Sequence, residues 1–167
     1  MRGRTGAFGI ALSLWIGLGL QDAGLPRAAG QVHTPDVVYV GTPYDLVSRM
    51  LKMARVTDKD VVYDLGCGDG RVVALAASKY GSRGMGFDID PERVRTALRT
   101  VLKHGVAHLV QITEADLFSL DLGGADVLTL YLLPDINRRL LPKLKNLRPG
   151  VRLVCHDYGL DGFRADQ

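Results

Sequence analysis

The sequence predicts an α/β fold, a three-layer sandwich in which helices cover both faces of a mostly parallel sheet. From about residue 36 onward, short β-branched runs alternate with longer segments of helical periodicity, the pattern of βαβ units. The chain has 167 residues, of which 47% are apolar and 23% charged. That length and composition suit one buried core, so we expect a single domain over 36–167.

Residues 1–30 differ in composition from the rest of the chain. Arg2 and Arg4 precede an uncharged, largely apolar stretch over 5–20, and small residues follow at 28–30. This order predicts a secretory signal peptide or N-terminal leader, because the apolar stretch is shorter than the ~20 residues of a membrane-spanning helix. We therefore expect export, or membrane association through the leader alone. If translation starts downstream of the leader, we expect a cytoplasmic protein.

Charge and histidine spacing argue against nucleic-acid and metal partners. The formal net charge is +3, but residues 1–30 contain three Arg and one Asp, a net +2, so the remaining chain carries +1. It has no block of Lys and Arg and no basic stripe interleaved with aromatic residues. His33, His104 and His108 lack metal-ligand spacing, so we expect no metal site.

The predicted elements follow in the order that such a sheet requires. Thr42 is the expected N-cap of the first helix, with Pro43 at its first position and Asp45 closing a capping box. A later helix has Asp90 as its cap and Pro91 at its first position. The predicted strands cover 61–65, 83–87, 108–113, 125–132 and 150–156, and further helices cover 71–80 and 135–147, the second disturbed at Pro142.

The two cysteines lie at the ends of different predicted strands. Cys67 follows the first strand and Cys155 ends the last, with one strand expected between them, so they are about 9.5 Å apart across the sheet. A disulfide needs Cα atoms within about 7 Å, so we expect both thiols to be free. We also expect Cys155 to be buried as a small apolar residue.

Glycines and a carboxylate follow the first two predicted strands. Gly66, Gly68 and Gly70 come directly after the first strand, and Asp88 ends the second. In parallel α/β sheets, ligands bind beyond the carboxyl ends of the strands, and glycines let the backbone approach a ligand closely. A carboxylate at the end of the second strand can accept two hydrogen bonds from a ribose diol. The two features together predict a site for an adenosine-type cofactor.

Two further carboxylates decide which cofactor the loop suits. Asp64 precedes the glycines and Asp69 interrupts them, whereas a dinucleotide-binding loop reads G-x-G-x-x-G. These charges would repel a pyrophosphate and suit a cation, such as a sulfonium with an α-amino group. We expect S-adenosyl-L-methionine, with a nicotinamide-dependent oxidoreductase as the alternative. Asp69 could instead cap the following helix.

The same motifs resemble those of the class I, seven-β-strand methyltransferases, which have a Rossmann-like fold and use S-adenosyl-L-methionine. The resemblance rests on DLGCGDG at 64–70, GFDID at 86–90, EADLF at 114–118 and LRPG at 147–150. It implies that the glycine loop holds the methionine moiety, Asp88 the ribose and Asp116 the adenine amino group, with Ile89 against the adenine ring. The candidate cofactor-binding residues are Thr42, Asp64, Gly66, Cys67, Gly68, Asp69, Gly70, Asp88, Ile89, Asp116 and Leu117.

A narrower resemblance concerns the acceptor. YVGTPYDLV at 39–47 and DGR at 69–71 are similar to protein-lysine methyltransferases of the mitochondrial ATP-synthase c-subunit type. This implies a protein amine as acceptor, with a small molecule as the other possibility. A module that binds the cofactor without turnover is a further alternative.

The sequence departs from the family pattern at two places. Ten residues follow Asp157, too few for the sixth and seventh strands of the family, so the chain is either a fragment or a minimal five-stranded form with an open edge. The nine residues 117–125 join the third strand to the fourth, so the usual helix there is absent or reduced to one turn.

The candidate catalytic residues are Tyr131 and Asp157, at the ends of the fourth and fifth predicted strands. Methyl transfer is an in-line displacement, in which alignment and desolvation supply much of the rate. Tyr131 is expected to line the methyl-transfer channel, or else to be a partly buried aromatic residue. Asp157 and the adjacent His156 could act as a base or substrate contact, or cap the loop. The Asp/Asn-Pro-Pro-Tyr/Phe signature of amino-directed nucleic-acid methyltransferases is absent.

Overall fold

The computed structural model describes residues 40–165. The predicted leader at 1–30 and His33 lie outside the described residues, as do 36–39 and 166–167 of the predicted domain. The described chain begins at the N-terminal side of the first helix and continues past the fifth strand. Its elements are α1 (Tyr44–Met53), β1 (Val61–Leu65), α2 (Arg71–Tyr80), β2 (Arg83–Asp88), α3 (Pro91–Lys103), β3 (Val110–Glu114), β4 (Val127–Leu130), α4 (Pro134–Lys145) and β5 (Arg152–Cys155).

The five strands form one sheet in the order β3-β2-β1-β4-β5, and all four pairings are parallel. Leu65 at the end of β1 pairs with Phe87 of β2 and with Leu130 of β4, so these strands end level with one another. The chain moves outward to β2 and β3, then returns to place β4 on the other side of β1. The strand order therefore reverses beside β1, which is where α/β sheets bind ligands.

Side chains of β1 alternate between two cores, one on each face of the sheet. Val62 packs with α1 and α2, where Val47, Leu51 and Val72 are buried. Leu65 faces the opposite side and packs with α4. The arrangement confirms the predicted α/β three-layer sandwich, with α1, α2 and α3 on one face and α4 on the other.

The predicted start of the first helix is wrong. Pro43 is the N-cap residue of α1, the helix begins at Tyr44, and no side chain caps it. Thr42, expected as the cap, is buried and places its Oγ1 3.2 Å from Nδ1 of His156. The local sequence fits a capping box, but a partner 114 residues away takes the threonine hydroxyl.

Other boundaries shift by one or two residues. β3, β4 and β5 begin two residues later than predicted, and β4 ends two earlier. The helix α4 starts at Pro134 and continues through Pro142, so the predicted disturbance does not end it. Gly81 ends α2 in the left-handed conformation. The Asp90 carboxylate caps α3 by accepting the N–H of Glu92, as predicted.

Within residues 40–165, no helix joins β3 to β4. In the same part of the chain, no helix is long and apolar enough to cross a membrane.

Both cysteines are free, as predicted. Cys67 follows β1 and Cys155 ends β5, and β4 lies between these two strands. Cys67 is buried, but Cys155 is only half-buried, contrary to expectation, because β5 lies at the edge of the sheet.

Candidate active site

The carboxyl ends of β1, β2 and β4 open onto a cleft of about 430 Å³, a volume typical of small-ligand sites. Most of the predicted site residues line it: Thr42, Asp64, Gly66, Cys67, Asp69, Asp88, Ile89, Asp116, Leu117 and Tyr131. Gly68, Gly70 and Asp157 do not. Residues far apart in sequence therefore meet at the edge where the strand order reverses.

The glycine loop is held against the end of β2 by backbone hydrogen bonds. The N–H groups of Gly66 and Cys67 both donate to the carbonyl of Phe87, at 2.9 and 2.8 Å. Gly66 has φ +76°, and a Cβ there would lie 2.9 Å from Cδ2 of Leu132. Glycine alone tolerates both this left-handed backbone and the close contact with Leu132, which follows β4.

Gly68 and Gly70 support the loop from behind. Gly68 donates its N–H to Oδ2 of Asp88 at 2.8 Å. Gly70 has φ +74°, and a Cβ there would lie 2.8 Å from Cβ of Ala97 on α3. Gly68 thus orients Asp88 and Gly70 lets α2 pack closely against α3, and the expected contact of both glycines with the cofactor stays a prediction.

Asp88 presents a fixed carboxylate to the cleft. Its Oδ2 accepts the N–H of Gly68 and its Oδ1 accepts the N–H of Asp90 at 3.0 Å. Each carboxylate oxygen can accept a further hydrogen bond. The carboxylate is thus already oriented for the two hydroxyls of a ribose, without a side-chain search on binding.

Asp64 is a buried carboxyl group that lines the cleft. It shares a 2.6 Å hydrogen bond with Oγ1 of Thr129, and both groups are almost fully buried. Burial raises the pKa of Asp64 from 3.8 to about 7; the Thr129 hydrogen bond opposes this, and the charges of Asp88 and Asp69 add to it. A cationic ligand nearby would favour the ionised carboxylate, which fits the ammonium and sulfonium groups of S-adenosylmethionine.

Asp69 lines the cleft as the partner of Arg71. Oδ1 and Oδ2 accept hydrogen bonds from Nε and Nη2 of Arg71, at 2.8 and 2.6 Å. The backbone N–H of Arg71 also donates to Oδ1 of Asp69 at 3.2 Å. The N-cap residue of α2 is Gly70, so the N-cap position itself provides no side-chain hydrogen bond. The expected counter-charge for the cofactor is therefore already paired with a guanidinium.

Arg71 was missed as a site residue, although it belongs to the DGR motif. Its Nη1 donates to the carbonyl of Thr42 at 2.8 Å, and its guanidinium lies 5.1 Å from the centre of the Tyr44 ring. A Cβ on Gly41 would come within 2.6 Å of the guanidinium. Arg71 therefore ties the residues before α1 to the cofactor loop.

The adenine end of the cleft has one carboxylate and several apolar side chains. Oδ1 of Asp116 accepts the N–H of Phe118 at 2.9 Å, which orients the second oxygen. Ile89 and Leu117 line the same cleft, together with Phe118, which the sequence did not indicate. Arg139 lies 3.6 Å from the Phe118 ring centre and holds that wall by a cation–π contact.

The end of the cleft beyond β4 and β5 is called the acceptor end here, after the role expected of Tyr131. The ring of Tyr131 lines the cleft and packs on the ring of His156, with centroids 4.0 Å apart. Burial raises the pKa of Tyr131, and the negative charge of Asp157 adds to the rise. Asp157 itself has φ +60°, an uncommon backbone conformation for a residue with a side chain. Its carboxylate is 57% exposed and lies beside the cleft rather than in its wall.

The remaining residues that line the acceptor end are mostly apolar. Leu133 and Tyr158 line the cleft and are 44% and 39% exposed, and neither was predicted.

Within residues 40–165, no group of three His, Cys, Asp or Glu side chains is placed to hold a metal ion. What the cleft offers chemically is an acidic, glycine-lined end for a cationic nucleoside and an aromatic end for an acceptor.

Comparisons with known proteins agree with this geometry. The sequence model of the ANTKMT methyltransferase domain matches residues 64–167. A protein-lysine N-methyltransferase of Saccharolobus islandicus is 42% identical over 137 residues, which are 81% of this chain and 85% of that protein. The adenine nucleotide translocase lysine N-methyltransferase of Mus musculus is 33% identical over 84% of this chain and 60% of its own length.

A solved structure agrees in sequence and in fold. A crystal structure described as an RNA methyltransferase from Salinibacter ruber, in complex with S-adenosyl-L-homocysteine, is 46% identical, with a TM-score of 0.75. The match covers 77% of this chain and 84% of that one. The present chain belongs to the ANTKMT methyltransferase domain family and is a class I methyltransferase that uses S-adenosyl-L-methionine.

Proposed function

We propose that this methyltransferase acts on the side-chain amine of lysine in a protein. The observation that carries the proposal is the placing of the Tyr131 ring and the Asp157 carboxylate around one imidazole: the Tyr131 ring centroid is 4.0 Å from that of His156, and Oδ1 of Asp157 is 3.4 Å from Nε2 of His156. A carboxylate and the face of an aromatic ring both attract an ammonium group. The Saccharolobus islandicus and mouse relatives, both named as lysine N-methyltransferases, support the same acceptor.

The chain's own residues have three tasks in this reaction. The bound cofactor supplies an electrophilic methyl group on a positively charged sulfur. The lysine nitrogen must lose a proton to solvent before it can attack, and the exposed Asp157 carboxylate attracts the incoming ammonium to this end of the cleft. Tyr131 and Leu133 then surround the neutral amine and exclude water while the N–C bond forms and the C–S bond breaks. Asp88 and Asp116 hold the nucleoside in place.

RNA is the second candidate acceptor, because the Salinibacter ruber protein is described as an RNA methyltransferase. The acceptor end opposes it. Tyr131, Leu133 and Tyr158 line that end, and Asp157 adds a negative charge beside it. Binding to a phosphate backbone needs cationic side chains, and the part of the chain beyond residue 30 carries a net charge of only +1.

The test is a competition between the two acceptors. The full chain is incubated with methyl-labelled S-adenosylmethionine, poly-L-lysine and total RNA, and label in each polymer is counted after separation. We expect label in poly-L-lysine, and a loss of about tenfold or more in rate for Tyr131→Ala. Tyr131→Phe, which keeps the ring, should retain most of the rate. Label confined to RNA, or equal rates for Tyr131→Ala and wild type, would contradict the proposal.

A further inference from the structure

The imidazole of His156 lies directly behind the acceptor end of the cleft. It does not line the cleft, and only 13% of its side chain is exposed. Its backbone N–H donates to the carbonyl of Leu130 at 2.9 Å, which fixes the residue beyond the end of β5 against β4. The ring therefore has a fixed origin and little freedom to move.

Both nitrogens and one face of this ring contact residues of the site. Nδ1 lies 3.2 Å from Oγ1 of Thr42, and Nε2 lies 3.4 Å from Oδ1 of Asp157. The ring face packs on Tyr131 with an angle of 36° between the planes. The His156 side chain thus contacts both candidate catalytic residues, Tyr131 and Asp157, and also Thr42 before α1.

The contact with Thr42 extends to the cofactor loop. The carbonyl of Thr42 accepts a hydrogen bond from Arg71, and Arg71 is paired with Asp69 of the glycine loop. A continuous chain of polar contacts therefore runs from Asp69 through Arg71 and Thr42 to His156.

We propose that His156 is a positioning residue for methyl transfer: it holds the Tyr131 ring and the Asp157 carboxylate in register with the cofactor side of the cleft. This inference rests on the proposed function, since it takes Tyr131 as the wall of the acceptor channel. His156 acts through Tyr131 and Asp157 and contacts neither acceptor nor cofactor. Misplacing the aligned groups by as little as 1 Å can cost about a hundredfold in rate, so a ring behind the wall can matter as much as one in it.

The experiment compares three variants of the full chain with poly-L-lysine as acceptor. His156→Ala removes the ring and both polar contacts, His156→Phe keeps the ring against Tyr131, and Thr42→Val removes only the Thr42 hydroxyl. His108→Ala is the control, because His108 is exposed at the opposite end of the sheet. The dissociation constant of S-adenosylmethionine is measured by calorimetry, kcat and KM by S-adenosylhomocysteine release, and the folded fraction by thermal unfolding.

The expected result separates alignment from binding. His156→Ala should lower kcat about tenfold or more, while the cofactor dissociation constant and the KM for poly-L-lysine change by no more than about threefold. His156→Phe should recover part of the lost kcat, and Thr42→Val should lower kcat less than His156→Ala. An unchanged kcat in His156→Ala, or a loss that matches its unfolded fraction, would overturn the inference.

A second measurement does not depend on any acceptor. The protein is labelled with 3-fluorotyrosine, and the Tyr131 resonance is identified as the one missing from Tyr131→Phe. If His156 fixes the ring, His156→Ala shifts or broadens this resonance, and His108→Ala leaves it unchanged. An unmoved resonance in His156→Ala would overturn the inference, whereas failure of the wild type to methylate poly-L-lysine would count only against lysine as the acceptor.

Discussion

The backbone N–H of Gly68 donates a 2.8 Å hydrogen bond to Oδ2 of Asp88, which joins the loop after β1 to the end of β2. The bond orients the carboxylate before any ligand arrives, and the N–H of Asp90 holds its other oxygen. Asp88 therefore supports the glycine loop, and we predict that it also accepts hydrogen bonds from the ribose. Two variants of this residue separate the roles.

Asp88→Ala should weaken the binding of S-adenosylmethionine by about tenfold or more, because charge-assisted hydrogen bonds to the ribose contribute about 1.5–3 kcal/mol. Isothermal calorimetry measures the dissociation constant directly. Asp88→Asn is the matched control, since the amide keeps one oxygen acceptor and should lose less affinity. Equal affinity in Asp88→Ala and wild type would show that this carboxylate does not hold the ribose.

The raised pKa of Asp64 predicts a pH-dependent stability. Burial favours the protonated carboxyl, so between pH 3.8 and about 7 the folded chain retains a proton that the unfolded chain has lost. The free energy of unfolding contributed by this group is therefore fully present below pH 3.8 and is lost as pH rises through about 7. Urea unfolding at pH 5 and pH 8 should show wild type losing a few kcal/mol relative to Asp64→Asn. A difference that is the same at both pH values would contradict the burial of an ionisable group at this site.

Gly70→Ala should destabilise the fold more than Gly81→Ala does. Both glycines have left-handed φ angles, +74° and +71°, so each alanine suffers a similar backbone strain of about 1 kcal/mol. At Gly70 the added Cβ also meets Ala97 of α3 at 2.8 Å, whereas at Gly81 its nearest neighbour is Cβ of Asp58 at 3.5 Å. The excess in Gly70→Ala should be about 1–3 kcal/mol by chemical denaturation. Equal losses would mean that α3 can move away from α2 without cost.

Much of the fold and the cofactor end could be predicted because their signals are local. The buried run at β1, the glycines that follow it and Asp88 at the end of β2 lie within 28 consecutive residues, and each has a direct physical meaning. The acid-flanked loop also indicated a cation rather than a pyrophosphate. The structure places Asp64 and Asp88 in one cleft, as this interpretation requires.

Three site residues make contacts that the local sequence pattern did not indicate. Thr42 has the sequence context of an N-cap, yet its hydroxyl pairs with His156, 114 residues away. Gly70 belongs to the glycine motif, yet its position is determined by Ala97. The charge of Asp69 looks available in sequence but is taken by Arg71. For Thr42 and Gly70 the partner belongs to another element, and only the packed sheet brings it close. Arg71 lies two residues from Asp69, so the sequence contains this pair but not the bidentate geometry that joins it.

The proposed lysine acceptor is tested most directly by identifying the atom that carries the transferred methyl group. The full chain is incubated with methyl-labelled S-adenosylmethionine and a cell extract, and labelled protein and RNA are hydrolysed separately and resolved by mass spectrometry. We expect labelled methyl-lysine in the protein fraction. We also expect the Asp88→Ala variant to lose this label at low cofactor concentration. Labelled nucleosides without methyl-lysine would contradict the proposed lysine acceptor.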